Sequence, residues 1–205
     1  MFEGVIRALL PGLCLLLVGC AATGVRPPPE PGNASRAVFL LDHGRHASLV
    51  LSTPTGDLIR YAYGDWRYYA ERDTGIGSGL AALFSNTPAA LGRRKLPGPP
   101  EPGVVCLRVR VPVEALYPIR VAGDEVDALR RRLDGMHAEP DRRLYVRAYD
   151  LVFVPYPGPY RLPITSNGKV AQWLRALDVE VEGDPLWSDW ALEGPQAAGP
   201  YRCPR

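Results

Sequence analysis

Apolar and polar positions along the chain fall into blocks of two different periods. Residues 37–41 and 47–51 are short, nearly continuous apolar runs of strand length, and Pro54-Thr55-Gly56-Asp57 is a turn that leads into a third strand over residues 58–63. Residues 104–111 and 151–154 are expected as further strands. In the first of these, Val105, Leu107, Val109 and Val111 would share an apolar face opposite Cys106, Arg108 and Arg110. Helical spacing appears twice. Asp124 is placed to cap a helix that turns Val126, Leu129, Leu133 and Met136 to one side, with acidic residues at its start and His137 near its end. A second helix follows Thr165-Ser166-Asn167, with Val170, Ala171, Leu174 and Leu177 inward. Residues 66–70 and 79–84 read as short helical pieces, residues 93–103 as a surface loop, and the last twenty or so residues as irregular chain anchored by Trp187, Trp190 and Cys203. A mostly antiparallel sheet with packed helices places the chain in the α+β class.

The first nineteen residues stand apart from that pattern. A start carrying Arg7, an apolar stretch over residues 9–18 and Gly19 before a cysteine have the order of an export signal. The stretch is about ten residues long, against the roughly twenty needed to span a bilayer as a helix. The order Leu17-Val18-Gly19-Cys20 resembles the bacterial lipobox. That resemblance implies cleavage before Cys20 and acylation of its thiol, so that the mature chain is held at a membrane by lipid. Ala21 in place of an acidic residue implies the outer membrane, facing the periplasm. A plain secretory signal with an incidental Cys20 is the alternative. Residues 20–36, with Pro27-Pro28-Pro29 and Pro31-Gly32, are expected as an extended tether, and residues 37–205 as one globular domain.

Composition removes some functions. The net charge is +2, with 24 Lys and Arg against 22 Asp and Glu, and loss of Glu3 with Arg7 leaves that balance unchanged. Arg130-Arg131-Arg132 shares its helix with Asp124, Glu125, Asp127 and Asp134, which describes a solvated face and no nucleic-acid surface. Of the four cysteines, Cys14 leaves with the signal and Cys20 takes the lipid. Cys106 and Cys203 are then expected to pair in an oxidising compartment, two free thiols being the alternative. The chain has no phosphate-cradling glycine loop and no Cys-x-x-Cys pair, so no cofactor is expected. His43 and His46 would point to opposite faces of one strand, so no metal is expected unless Gly44-Arg45 is a turn.

Three segments carry the remaining chemistry: His43-Gly44-Arg45-His46, Gly64-Asp65-Trp66-Arg67-Tyr68-Tyr69 and Thr165-Ser166-Asn167-Gly168. Together they resemble an uncharacterised bacterial family, a domain of unknown function with a His-Gly-x-His-x-Gly-like strand start, a Gly-Asp-x-x-x-Tyr segment and an Asn-x-Cys-Asn-like helix start. The resemblance spans about residues 38–177. That family is similar to circularly permuted papain-like hydrolases of the NlpC type, in which a histidine on an early strand meets a cysteine at the start of a late helix. The resemblance implies a permuted papain-like arrangement with His46 as the base and Ser166 at the nucleophile position. This chain departs from the pattern twice, with serine in place of cysteine and with Arg60 where relatives tend to have an acidic residue.

A cysteine at a helix start is activated from a pKa of about 8.5, whereas a serine hydroxyl begins far higher and depends on a well-oriented base. An arginine beside the base opposes formation of imidazolium. Asp65 is then the candidate to orient His46. Each residue also has a structural reading: Ser166 as a helix N-cap, His46 as a hydrogen-bonded core histidine, and Trp66, Tyr68, Tyr69, Trp173, Trp187 and Trp190 as core or loop anchors instead of groove linings. The leading expectation is a degenerate hydrolase site that binds an envelope ligand, whether cell-wall peptide, lipid or protein. An active serine hydrolase or acyl transferase using Ser166, His46 and Asp65, and a purely structural lipoprotein, are the alternatives.

Overall fold

The computed structural model describes residues 22–32, 34–72, 86–138, 141–162, 164–183 and 185–204. The export signal, Cys20 and the helical piece expected at residues 79–84 lie outside the described residues. Two sheets form. The smaller joins β1 (Thr23–Arg26), β9 (Glu180–Val181) and β10 (Trp190–Leu192), with β1 in the centre, parallel to β10 and antiparallel to β9. The larger has seven strands in the order β6-β2-β3-β4-β5-β8-β7, and every neighbouring pair is antiparallel. Its members are β2 (Arg36–Asp42), β3 (Ala47–Ser52), β4 (Leu58–Asp65), β5 (Thr87–Leu96), β6 (Ala115–Val121), β7 (Leu144–Val146) and β8 (Leu151–Tyr160). Among the described residues three helices accompany them: α1 (Pro102–Arg108), α2 (Gly123–Ala138) and α3 (Ser166–Arg175), together with a π-helical turn over Trp66–Ala70. The chain is α+β with a mostly antiparallel sheet. No helix among the described residues is long and apolar enough to cross a membrane.

Strand alternation divides the interior across the large sheet. Ala47, Leu49, Leu51, Ile59, Tyr61 and Tyr63 point to one face, where they pack with Val126, Leu129 and Leu133 of α2, Val170, Ala171 and Leu174 of α3, and Val25 and Trp190 of the small sheet. Phe39, Leu41, Val50, Leu58 and Leu96 point to the other, beneath Val105 of α1. Ala62, Ala90 and Phe153 continue that second face with Trp66 and Ala70 of the π-helical turn. These apolar layers are what hold the sheet in place, since each buried aliphatic or aromatic side chain contributes on the order of 1.5 to 3 kcal/mol.

Several sequence expectations change. Residues 104–111 are not a strand: Pro102–Arg108 is helical, because proline suits a first helical turn and only Val105 of the apolar positions needs to face the core. Leu107, expected inside, is 81% exposed. Residues 93–96 are not loop but the end of β5, where each cation meets a carboxylate: Arg93 with Asp134 at 2.6 Å, Arg94 with Asp150, and Lys95 with Asp57 at 2.8 Å. β6 arises from a segment that contains Pro118, which a strand at the sheet margin tolerates because no neighbour needs its missing N–H. Within the stretch expected as a tether, Thr23–Arg26 is ordered as the centre of the small sheet. Asp124 lies inside the first turn of α2 instead of before it.

The C-terminal segment is partly regular, since Glu180–Val181 and Trp190–Leu192 are strands. Trp190 is buried and anchors it, whereas Trp187 is 66% exposed and does not. Cys106 and Cys203 form a disulfide with their Cα atoms 5.4 Å apart. The tail that carries Cys203 lies against β6, where Tyr201 and Leu116 exchange backbone hydrogen bonds of 2.8 and 3.0 Å.

Candidate functional site

The site begins with the turn between β2 and β3. The His43 N–H donates to His46 O at 2.9 Å, Gly44 has φ +88°, and its N–H is accepted by Asp42 Oδ1 at 2.7 Å. A left-handed backbone at this position is the reason for glycine. Gly44-Arg45 is therefore a turn, and it brings the two histidine rings into a stack with centroids 4.8 Å apart. His43 is fully engaged. Its Nδ1 lies 2.6 Å from Pro112 O, which can only accept, so Nδ1 carries the proton. Its Nε2 then accepts from the Ser48 hydroxyl at 2.9 Å and from Arg60 Nη2 at 3.2 Å. Among the described residues no group of three His, Cys, Asp or Glu is arranged to hold a metal ion.

Arg60 is 2% exposed and organises this layer. Its Nε donates to Ser48 Oγ at 3.0 Å and its Nη1 to Tyr149 O at 3.3 Å, while the Asp150 carboxylate lies near enough to offset its burial in part. Burial, and after it the Arg60 charge, push His46 down to about 4; the same two causes hold His43 well below its usual range. His137, the third histidine, is also pushed down to about 4 by burial and by Arg93. Unfolded histidine titrates near 6.5, so between that pH and about 4 the unfolded chain binds more protons than the folded one. The stability these neutral histidines represent is present above pH 6.5 and is lost as pH falls through about 4. A melting temperature that declines across this interval, and a His46 imidazole NMR signal that titrates near pH 4, are the expected results; titration of His46 near 6.5 would contradict a half-buried ring under the Arg60 charge.

The Gly64-Asp65 segment builds the far wall. A β-carbon at position 64 would collide with the Tyr69 ring, so glycine here lets that ring lie on the sheet. Asp65 is buried, and its Oδ1 caps the π-helical turn by accepting from the Tyr68 N–H at 2.7 Å. Its Oδ2 has no partner among the described residues. The turn presents Tyr69 edge-on to His46, with ring centroids 5.9 Å apart, and Tyr69 packs in turn on Tyr149 and Phe153. The resulting cleft of about 480 Å³ is lined by His46, Tyr68, Tyr69, Tyr149, Arg45 and Glu114.

Ser166 belongs to another element. It opens α3, but the capping residue is Thr165, whose Oγ1 accepts from the Gly168 N–H at 3.3 Å. Ser166 is buried, and its hydroxyl and backbone N–H are directed at the Tyr160 phenol. Tyr160 stacks on Tyr63, whereas the His46 ring meets His43 and Tyr69 and lies within the field of Arg60. No hydrogen bond joins His46, Ser166 and Asp65 among the described residues. What α3 does bring to the turn is Asn167, fully buried, whose Nδ2 donates to Arg45 O at 3.3 Å and to Leu186 O at 3.1 Å. Ser188 adds a bond from its Oγ to His46 O at 3.3 Å.

Glu114, Tyr149, Asn167 and Ser188 were not singled out by the sequence. Glu114 and Tyr149 precede no recognisable spacing and reach the cleft only because β6 and the β7–β8 connection end beside the β2–β3 turn. Asn167 stood inside a noted motif, and its complete burial is what reveals its role. A larger cavity of about 890 Å³ adjoins the cleft at Glu114, but its walls are the disulfide, Val109, Val111, Val113 and the C-terminal tail, with no histidine or tyrosine. The His46 cleft is therefore the better candidate. No family model, curated protein or solved structure matches this chain.

Proposed function

We propose that this chain is an envelope lipoprotein, anchored through Cys20 to the outer membrane and facing the periplasm, whose His46 cleft binds a ligand without turning it over. The observation that carries this reading is that no hydrogen bond joins the hydrolase groups among the described residues. Ser166 is directed at Tyr160, Asp65 caps a turn instead of orienting an imidazole, and Arg60 stands where an acidic group would support imidazolium. A serine needs a hydrogen-bonded base to become a nucleophile. The resemblance to permuted papain-like hydrolases accounts for the placement of the motifs, and the cleft they leave has the aromatic walls and few polar groups of a recognition site.

Exposure of the mature chain to a serine-directed fluorophosphonate, with Ser166→Ala as the reference, tests this directly. The expected result is no difference between the two proteins. Labelling of the native chain that disappears in Ser166→Ala and in His46→Ala would replace the binding reading with the hydrolase one. Binding itself is read from the His46 and Tyr69 NMR signals on addition of a soluble cell-wall digest or a short-chain phospholipid; shifts with neither would leave a structural lipoprotein.

A further inference from the structure

Leu186 and Trp187 are adjacent, large and apolar, yet 46% and 66% exposed. The other three tryptophans, Trp66, Trp173 and Trp190, are buried. The backbone under the exposed pair is held firmly. Leu186 O accepts from the buried Asn167, Ser188 Oγ bonds His46 O and accepts from Trp190 Nε1 at 3.1 Å, and Trp190 begins β10. The Thr23 N–H donates to Asp189 O at 2.6 Å, and Thr23 pairs with Trp190. The exposed pair therefore sits beside the point where the chain enters β1.

Chain length adds the second observation. Only Ala21 and Ala22 separate Cys20 from Thr23. At 3.3 to 3.6 Å per residue, the Cys20 Cα lies within about 11 Å of the Thr23 Cα. Because Thr23 already belongs to a sheet, no long tether holds the domain away from whatever receives the lipid.

We propose that Leu186 and Trp187 form a bilayer-docking face, seated at the boundary between headgroups and acyl chains of the membrane that takes the Cys20 lipid. The proposal rests on acylation of Cys20. Tryptophan favours that boundary because its ring is apolar and its N–H polar. Two side chains are too small a surface to hold a free protein, but a lipid at Cys20 makes their insertion intramolecular at high effective concentration. The same backbone is tied through Asn167 and Ser188 to the β2–β3 turn that lines the His46 cleft, so docking brings that cleft toward the headgroups.

The mature chain, beginning at Cys20, is to be coupled through that thiol to a maleimide phospholipid in phosphatidylethanolamine and phosphatidylglycerol vesicles with brominated acyl chains. Cys106 and Cys203 are joined, which leaves Cys20 to react. Trp187 emission is expected to move to the blue and to be quenched, with the quenched component absent in Trp187→Phe and quenching lost in Leu186→Asp. Leu107→Asp, an exposed leucine on the opposite face of the sheet, is expected to leave quenching intact. Unquenched Trp187 in the tethered chain, or equal loss in both leucine variants, overturns the docking. Because the maleimide supplies the tether, acylation is tested apart from it, by the mass of the Cys20 peptide from the native envelope. An unmodified Cys20 there overturns the anchor and the docking together, whereas acylated Cys20 with unquenched Trp187 overturns the docking alone.

Discussion

Replacement of Cys106 and Cys203 together by serine is expected to lower the free energy of unfolding by about 4 to 5 kcal/mol, because the cross-link closes a loop of nearly a hundred residues in the unfolded chain. That is a large part of the roughly 5 to 15 kcal/mol by which a domain is stable. Urea unfolding of the oxidised protein against the double variant measures it; a difference below about 1 kcal/mol would mean that the unfolded chain gains little freedom on losing the link. The effect extends to the site. The disulfide pins the tail, Arg202 Nη1 donates to Glu114 O at 2.5 Å, and the preceding Pro112 O holds the His43 Nδ1 proton. Release of the tail therefore loosens the support of the histidine stack, and the His43 and His46 NMR signals should broaden in the double variant.

Arg60→Met is expected to cost about 3 to 5 kcal/mol, the range for breaking one side of a buried charged network. Methionine fills much the same volume but leaves Ser48 Oγ and Tyr149 O without the Arg60 donor, and His43 Nε2 with the Ser48 hydroxyl alone, in a layer closed by Ala62 and Phe153. The same substitution removes the positive charge that helps depress His46. Its titration should rise from about 4 while staying below the usual 6.5, since burial is the larger cause. The two readouts separate the network from simple packing: a stability loss with no change in His46 titration would mean that Arg60 acts through volume alone.

The fold was legible where one period dominated. Residues 37–41, 47–51 and 58–63 formed the strands their apolar runs implied, and the helices after residues 123 and 165 used the apolar positions expected of them. It was illegible where tertiary partners overrode composition. Val104 and Val105 favour strand by propensity, yet Pro102 and the tie from Cys106 to the tail make that segment helical. Arg93, Arg94 and Lys95 read as loop because nothing local reveals that Asp134, Asp150 and Asp57 neutralise them. At the candidate site, the motif residues whose roles the structure shows are architectural. Gly44 makes a turn, Gly64 admits Tyr69, Asp65 caps, and Asn167 ties two loops. Which partner the Ser166 hydroxyl takes depends on where β8 sets Tyr160, and that follows from the pairing of distant strands.

The small sheet bears on how the chain comes together in time. β1 opens the described chain, yet its partners are β9 and β10, so Thr23 waits for Trp190 and Arg26 for Glu180. Pairings between residues so far apart in sequence form late, after the intervening loop has been closed. Until the C-terminal strands emerge, the N-terminal segment has no place to dock and stays extended. If the chain is exported amino end first, as the proposed lipoprotein reading requires, it reaches the far side of the membrane before its fold can close, and the last strands to arrive complete the sheet that the first one began.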